Sequence, residues 1–253
     1  NQHLLTLPVK LYTIPLEVSM RKIITQILSI CLLFCLSSCS QKVNKNDVIE
    51  VFDALDRTLE ADSGILNGTL ITETENRNII DLDVQFIQNG NLRVAANMDL
   101  TSGKNTIENY IEFYIVDGKT YLKNMDTTSQ SVLENIGLSP NSKISVYNIF
   151  LDYSDDQLVS LFESSSRKGN VIQLKLNNKQ LSTLLDSMGT LSISKGEITV
   201  TLNDEYIENI KLDIQGYFAY DTISSDLNIQ LDCDILNINA LKNIALPADL
   251  DSY

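Results

Sequence analysis

The sequence predicts an α+β domain. Its core is a strongly curved antiparallel β-sheet, a half-barrel covered on its concave face by helices. Three observations lead there. Ile80, Leu82, Val84 and Phe86 alternate with Asp81, Asp83 and Gln85, a period of two that gives a strand one apolar and one wet face. Strands come in runs set apart from a helical middle, and that segregation is the mark of α+β folds. A sheet of about nine one-sided strands curls strongly through its own twist. Its apolar face then needs the cover that amphipathic helices supply.

The elements follow in order. Val48, Phe52, Leu55 and Leu59 recur at spacings of four, three and four residues, one apolar helical stripe. Asn46 or Asp47 is placed to cap its start, and Gly64 lies just past its end. Ile65 to Thr74 reads as a strand, followed by the Ile80–Phe86 strand. Asn89-Gly90 gives a hairpin turn into Leu92, Val94, Ala96, Met98 and Leu100, which alternate with Arg93, Ala95, Asn97 and Asp99. A further pass runs from about Ile107 to Val116, and Asp117-Gly118 turns it into Lys119 to Met125. These are five consecutive strands in a meander.

The middle is helical. Val132 to Ile136 forms a turn or two, Pro140 interrupts, and Val146 to Tyr153 is an apolar stretch of undecided type. Ser154-Asp155-Asp156-Gln157 is a capping box ahead of Leu158, Leu161 and Phe162, in a helix ended by Gly169. Val171 to Leu176 reads as a strand. Asn178 caps a helix carrying Leu181, Leu184, Leu185 and Met188. Three strands close the chain: Ile198 to Leu202, Ile207 to Tyr220, and Thr222 to Ile235. The apolar tail Ile244-Ala245-Leu246-Pro247 packs back on the domain.

The segment before this domain is of another kind. Met20 precedes Arg21 and Lys22, and an apolar run then extends from Ile23 to Leu36. As a helix it rises about 21 Å, short of the ~30 Å hydrocarbon core. That is a signal-peptide core and not a permanent span. It ends in Leu36-Ser37-Ser38-Cys39, which resembles the lipobox of bacterial lipoproteins. The resemblance implies that Cys39 receives a diacylglyceryl group, that a peptidase cuts before it, and that the new amine takes a further fatty chain, of the palmitate kind. Leu36, Ser37 and Ser38 are then the signal-peptidase motif. Two chains give stable membrane attachment where one is marginal. The reading divides the chain into an upstream extension (1–19), a lipoprotein signal peptide (20–38), a lipidated tether (39–46) and a single half-barrel domain (47–253).

Composition narrows the function. The chain of 253 residues has a net charge of −14. Without the segment before Cys39, 16 basic and 32 acidic residues remain, a charge of −16. Such a domain repels phosphate backbones, so nucleic acid is not an expected partner. It is equally repelled by an anionic bilayer, so attachment comes through the covalent lipid on Cys39. The expected location is the cell membrane, facing outside the cytoplasm. Cys31, Cys35 and Cys39 belong to the export segment, which leaves Cys233 without an intramolecular partner.

Asp117-Gly118-Lys119-Thr120-Tyr121 and the closing Ile244-Ala245-Leu246-Pro247-Ala248-Asp249-Leu250, with the order of elements around them, resemble LolA-like and LppX/LprG-like lipoproteins. The likeness covers roughly residues 47–253. It implies a half-barrel whose cavity, between sheet and helices, holds acyl chains, with a role in envelope lipid transport. It supplies no catalytic residue set. The chain departs from LolA itself in being lipidated, as the anchored members are.

The residues hold little catalytic chemistry. The one histidine is His3, before the lipobox, so no Ser-His-Asp or Cys-His arrangement and no His-ligated metal is available to the mature domain. No phosphate loop, dinucleotide fingerprint or Ca²⁺ loop occurs. No enzyme activity, cofactor or metal is expected. Cys233 falls on an apolar strand face, as a buried thiol does. Asp81/Asp83 and Asp232/Asp234 each share a face at i, i+2; that pairing suits an acid–base pair or a Ca²⁺ site, but each lies opposite the apolar face, as solvated surface does. Tyr110, Tyr114, Tyr217 and Tyr220 rim a cavity or pack at edges. The candidate ligand-lining residues are Phe86, Val94, Met98, Ile210, Leu212, Ile229 and Leu231. Two functions stay open: binding of a lipid or other apolar ligand between sheet and helices, and a non-catalytic structural or partner-binding role for a packed core.

Overall fold

The structure is a computed structural model that describes residues 42–74, 76–123, 138, 143, 150, 152–185, 190–220 and 223–252. Cys39, its Leu36-Ser37-Ser38 motif, the 132–136 helix and most of 146–153 lie outside the described residues. Residues 42–253 form one compact unit.

Helix α1 spans Lys45–Leu59. Its cap is Asn44, upstream of the expected Asn46 or Asp47: the Asn44 side chain accepts from the Asn46 amide at 3.1 Å. Its end is not made by Gly64. Glu60 closes it in right-handed helical geometry, donating back to the Asp56 and Thr58 carbonyls. Gly64 instead lies inside β1 (Ser63–Glu73), where a Cβ would press at 3.0 Å on the Phe86 ring.

The meander continues through β2 (Arg77–Ile87), β3 (Arg93–Ser102), β4 (Asn105–Val116) and β5 (Lys119–Lys123). Asn89-Gly90 does not make a two-residue hairpin. Ile87 pairs with Arg93, so residues 88–92 form a wider loop. Gln88 explains it: buried there, it donates from its side-chain amide to the Ala61 carbonyl at 2.6 Å and from its backbone to Asp62 at 2.7 Å, while Leu92 is wholly buried. A tight turn would pull both residues out.

Helix α2 (Asp155–Ser160) starts with the predicted capping box. It stops at Leu161, and the helix expected to reach Gly169 is a strand instead, β6 (Phe162–Lys168). Its core, Glu163-Ser164-Ser165-Ser166, is poor in helix formers. Gly169, at φ 64°, turns the chain into β7 (Val171–Leu176). Helix α3 covers Asn178–Leu185. Asn177, not Asn178, sits at its start, accepting from the Gln180 amide at 3.3 Å; Asn178 donates to the Ser194 carbonyl at 2.8 Å. Strand β8 (Thr190–Asn203) begins eight residues before the expected Ile198, and β9 (Tyr206–Tyr220) and β10 (Ile223–Leu236) follow.

The ten strands of the described residues form one open antiparallel sheet in the order β5-β4-β3-β2-β1-β10-β9-β8-β7-β6. The N-terminal meander and the C-terminal strands meet where β1 pairs with β10. A sheet this wide curves through its twist, in keeping with the expected curvature.

The register sorts every strand onto two faces. Met98, Leu82, Gly68, Cys233, Ile210, Val200 and Ile172 are successive cross-strand partners, and so are Leu100, Ile80, Leu70, Leu231, Leu212, Ile198 and Leu174. These rows make one apolar face across seven strands. Two core clusters sit on it. Val48, Val51 and Ala54 of α1 pack with Leu158, Phe162, Ile172, Leu174, Val200 and Ile207 at the β6–β9 end. The other joins Ala61, Phe86, Leu92, Val94, Ala96, Phe113 and Ile115 at the β2–β4 end. Helix α1 therefore covers part of the apolar face, over β6–β9.

Candidate functional site

All seven sequence-predicted lining residues lie on the apolar face, as the pairings Phe86–Val94, Leu82–Met98, Cys233–Ile210, Leu231–Leu212 and Ile229–Ile214 require. The structure then separates them. Phe86 and Val94 are buried members of the β2–β4 cluster, with Val94 1% exposed. Ile210 packs against the α1 cluster. Met98, Leu212, Ile229 and Leu231 are only half-buried. None of the four belongs to either cluster or is among the side chains packed against one. Neighbours of the same kind, Leu82, Leu70, Ile80 and Leu100, share their rows and are half-buried too. A strip of apolar side chains left half open to solvent costs free energy that burial by an apolar ligand would recover, at ~25 cal/mol per Å².

The opposite face is polar and largely satisfied. Asp99, Asp81, Thr69, Asp232, Lys211 and Thr199 form one cross-strand row. Thr69 donates to Asp81 at 2.6 Å, Lys211 to Asp232 at 2.6 Å, and Asn209 to both Asp232 and Asp234 at 2.9 and 2.7 Å. The Lys211 and Asn209 hydrogen bonds hold the Asp232 carboxyl below the usual carboxylate range. Asp81, Asp232 and Asp234 are thus hydrogen-bonded groups on the solvent side of the sheet. Among the described residues no three His, Cys, Asp or Glu side chains converge as metal ligands.

Among the described residues, grooves of about 330 to 600 Å³ open on this polar face. One of about 360 Å³ runs between Asp81, Asp83, Asn97, Asp99 and Tyr114. Its wall includes Ala245 of the C-terminal tail, whose amide donates to Gln85 at 3.0 Å. The tail does pack back, but across the wet face, with Leu246 exposed. The second groove, about 600 Å³, is lined by Asn67, Asp83, Asn209, Lys211, Asp232 and Asp234. Tyr110 and Tyr217 are exposed. Tyr114 lines the first groove and donates to the buried Glu112 at 3.0 Å; the Tyr220 side chain lies outside the described residues.

Cys233 is buried between Gly68 and Ile210 on the apolar face and is a free thiol. Burial, followed by the charges of Asp234 and Asp232, raises its pKa. It stays protonated at neutral pH, the opposite of a nucleophilic cysteine.

Sequence reasoning missed the uneven filling of the apolar face. Cavity-lining and core positions share one periodicity, so no signal in the alternation separates Val94 from Leu231.

No protein-family model matches the chain, and no curated protein matches its sequence. Among solved structures it is similar to the crystal structure of LprF from Mycobacterium bovis, at 13% identity and a TM-score of 0.33, with 82% of this chain and 99% of that one covered.

Proposed function

We propose that this chain is a membrane-anchored lipoprotein without enzymatic activity. Its domain binds a lipid or other hydrophobic ligand against the apolar face of a half-barrel sheet, between the sheet and the helices over its concave side, in the service of envelope lipid transport. The observation that carries the reading is the half-open strip of Met98, Leu212, Ile229 and Leu231 outside the two packed clusters. The lipobox Leu36-Ser37-Ser38-Cys39 supplies the anchor and the export route, and places the protein on the outer side of a cell membrane. The covalent lipid is the contact with the membrane; an acyl lipid is the ligand. The uniformly apolar strip favours acyl chains over polar ligands, because nothing on it offers a hydrogen bond to orient a polar group.

A second reading rests on Phe86, Val94 and Ile210, which pack in the clusters as core residues do. It makes the domain an envelope scaffold or partner-binding module with a filled interior. Titration with a fluorescent acyl lipid separates the two. Saturable uptake at one per domain, competed by unlabelled fatty acid, supports the ligand reading; no uptake supports the scaffold.

A further inference from the structure

We propose that Asn89-Gly90, in the β2–β3 loop, is a site of spontaneous deamidation in the folded protein, and that the sheet protects the other Asn-Gly pair of the chain, Asn67-Gly68. The inference concerns the folded domain and is independent of what the apolar face binds.

The chemistry is internal to the chain. The Gly90 amide nitrogen attacks the side-chain carbonyl carbon, Cγ, of Asn89. The new C–N bond closes a five-membered succinimide, the C–N bond of the carboxamide breaks, and ammonia leaves with the proton of the Gly90 nitrogen. Water then opens the ring at either carbonyl, giving aspartate or isoaspartate. No oxidant, metal or enzyme takes part. The backbone nitrogen must swing onto Cγ, so three things limit the attack: a side chain on the following residue, a hydrogen bond that holds the nitrogen, and a backbone that cannot turn. Glycine removes the first. The fold sets the other two.

At Asn89-Gly90 neither limit operates. Ile87 pairs with Arg93, which leaves residues 88–92 outside the ladder. Asn89, Gly90 and Asn91 are exposed, and a Cβ at Gly90 would meet nothing within 4 Å. Among the described residues no hydrogen bond holds the Gly90 amide or the Asn89 carboxamide. The loop ends are fixed by the two bonds of Gln88 and the burial of Leu92, so the exposed residues between them turn while the core stays packed. At Asn67-Gly68 both limits operate. Gly68 lies in β1, between β2 and β10, and pairs with Leu82 on one side and Cys233 on the other, so its N–H belongs to the ladder. A Cβ there would meet the Asp232 carbonyl oxygen at 3.0 Å. The Asn67 amide, oriented to donate, reaches the Leu66 carbonyl and Asp83 Oδ2, each at 3.2 Å. Reaction at this pair awaits the opening of a central strand, which takes a large share of the global unfolding free energy.

The test incubates the full chain in non-ionic detergent at mildly alkaline pH, with peptide mass spectrometry at intervals. Replacement of the amide NH2 by OH is read as a gain in mass, and chromatography separates isoaspartyl from aspartyl peptides. A parallel sample is unfolded in guanidinium chloride. Native protein is expected to convert Asn89 more than about tenfold faster than Asn67, because the strand must open first, and to give both aspartate and isoaspartate. The unfolded sample is expected to convert the two at similar rates. Gly90→Ala, whose methyl group meets open space in the fold, should slow Asn89 several-fold by hindering the attack, with the unfolding midpoint unchanged. Equal native rates at the two pairs, or Asn67 converting first, overturn the protection by the sheet. An Asn89 that stays intact in native protein while the unfolded sample converts overturns the loop as a reactive site. Aspartate without isoaspartate, or an unchanged rate in Gly90→Ala, overturns the succinimide route.

Discussion

Leu231 and Leu174 occupy the same cross-strand row of the apolar face, yet truncating them has different consequences. Leu174 is fully buried in the α1 cluster, and Leu174→Ala leaves a closed cavity. Such a change costs about 2–5 kcal/mol, and the complete burial places it near ~4. Leu231 is half-buried outside both clusters, so Leu231→Ala loses about half the transfer term and leaves an open dent, at ~1–2 kcal/mol. With a urea slope of ~2 kcal/mol per M, the midpoints fall by about 2 M and by about 0.5–1 M. Ligand uptake reverses the order. About half of three lost carbons, at ~0.8 kcal/mol each, weakens acyl-lipid binding by roughly tenfold, whereas Leu174→Ala leaves it unchanged in water. Urea unfolding and lipid titration of both variants make the measurement. Equal midpoint losses with unaltered lipid affinity in Leu231→Ala would refute the distinction between filled and open parts of the face.

Three further outcomes are expected. Gly216→Ala places a Cβ 2.5 Å from the Ser192 carbonyl oxygen at the β8 bulge; backbone cannot yield there, so thermal unfolding should show a loss of ~1–3 kcal/mol, while Gly90→Ala, with open space around it, changes stability by under ~0.5. Glu50 has a lowered carboxyl pKa, first through its hydrogen bonds from Arg167. A group depressed on folding stabilises above its unfolded value, here 4.5, and loses that contribution as pH falls through the lower folded value; Glu50→Gln should therefore flatten the acid limb of the stability–pH profile, and an unchanged slope would count against the Arg167 pair. Cys39→Ala should abolish incorporation of labelled palmitate and shift the protein out of the membrane fraction; labelled protein in that variant would place the lipid elsewhere.

Much of the fold is written in local pattern. Helix α1 follows from a stripe at helical spacing, β2 and β3 from alternation, β5 from the Asp117-Gly118 turn before it, and α2 from a capping box whose two reciprocal hydrogen bonds form as expected. Where local cues misled, a tertiary contact decided. Asn89-Gly90 is a strong hairpin signal, but Gln88 reaching Ala61 and Leu92 filling the core open the loop. The serines of β6 hide a strand that exists because β7 pairs with it. Asn44 replaces Asn46 as cap through its tie to Ser165, a residue 121 positions away. For the site, the alternation placed all seven candidates on one face. It did not tell which of them Phe113, Leu92 or α1 would bury, because that depends on packing between elements distant in sequence.

The central claim is that the apolar face takes up a lipid. Native mass spectrometry of residues 41–253, purified without detergent from a lipid-containing host and followed by organic extraction, tests it most directly. The account predicts an acyl lipid bound at near one per protein, which is lost on extraction and regained on adding lipid. A clean apo mass that stays unchanged when lipid is added would contradict it.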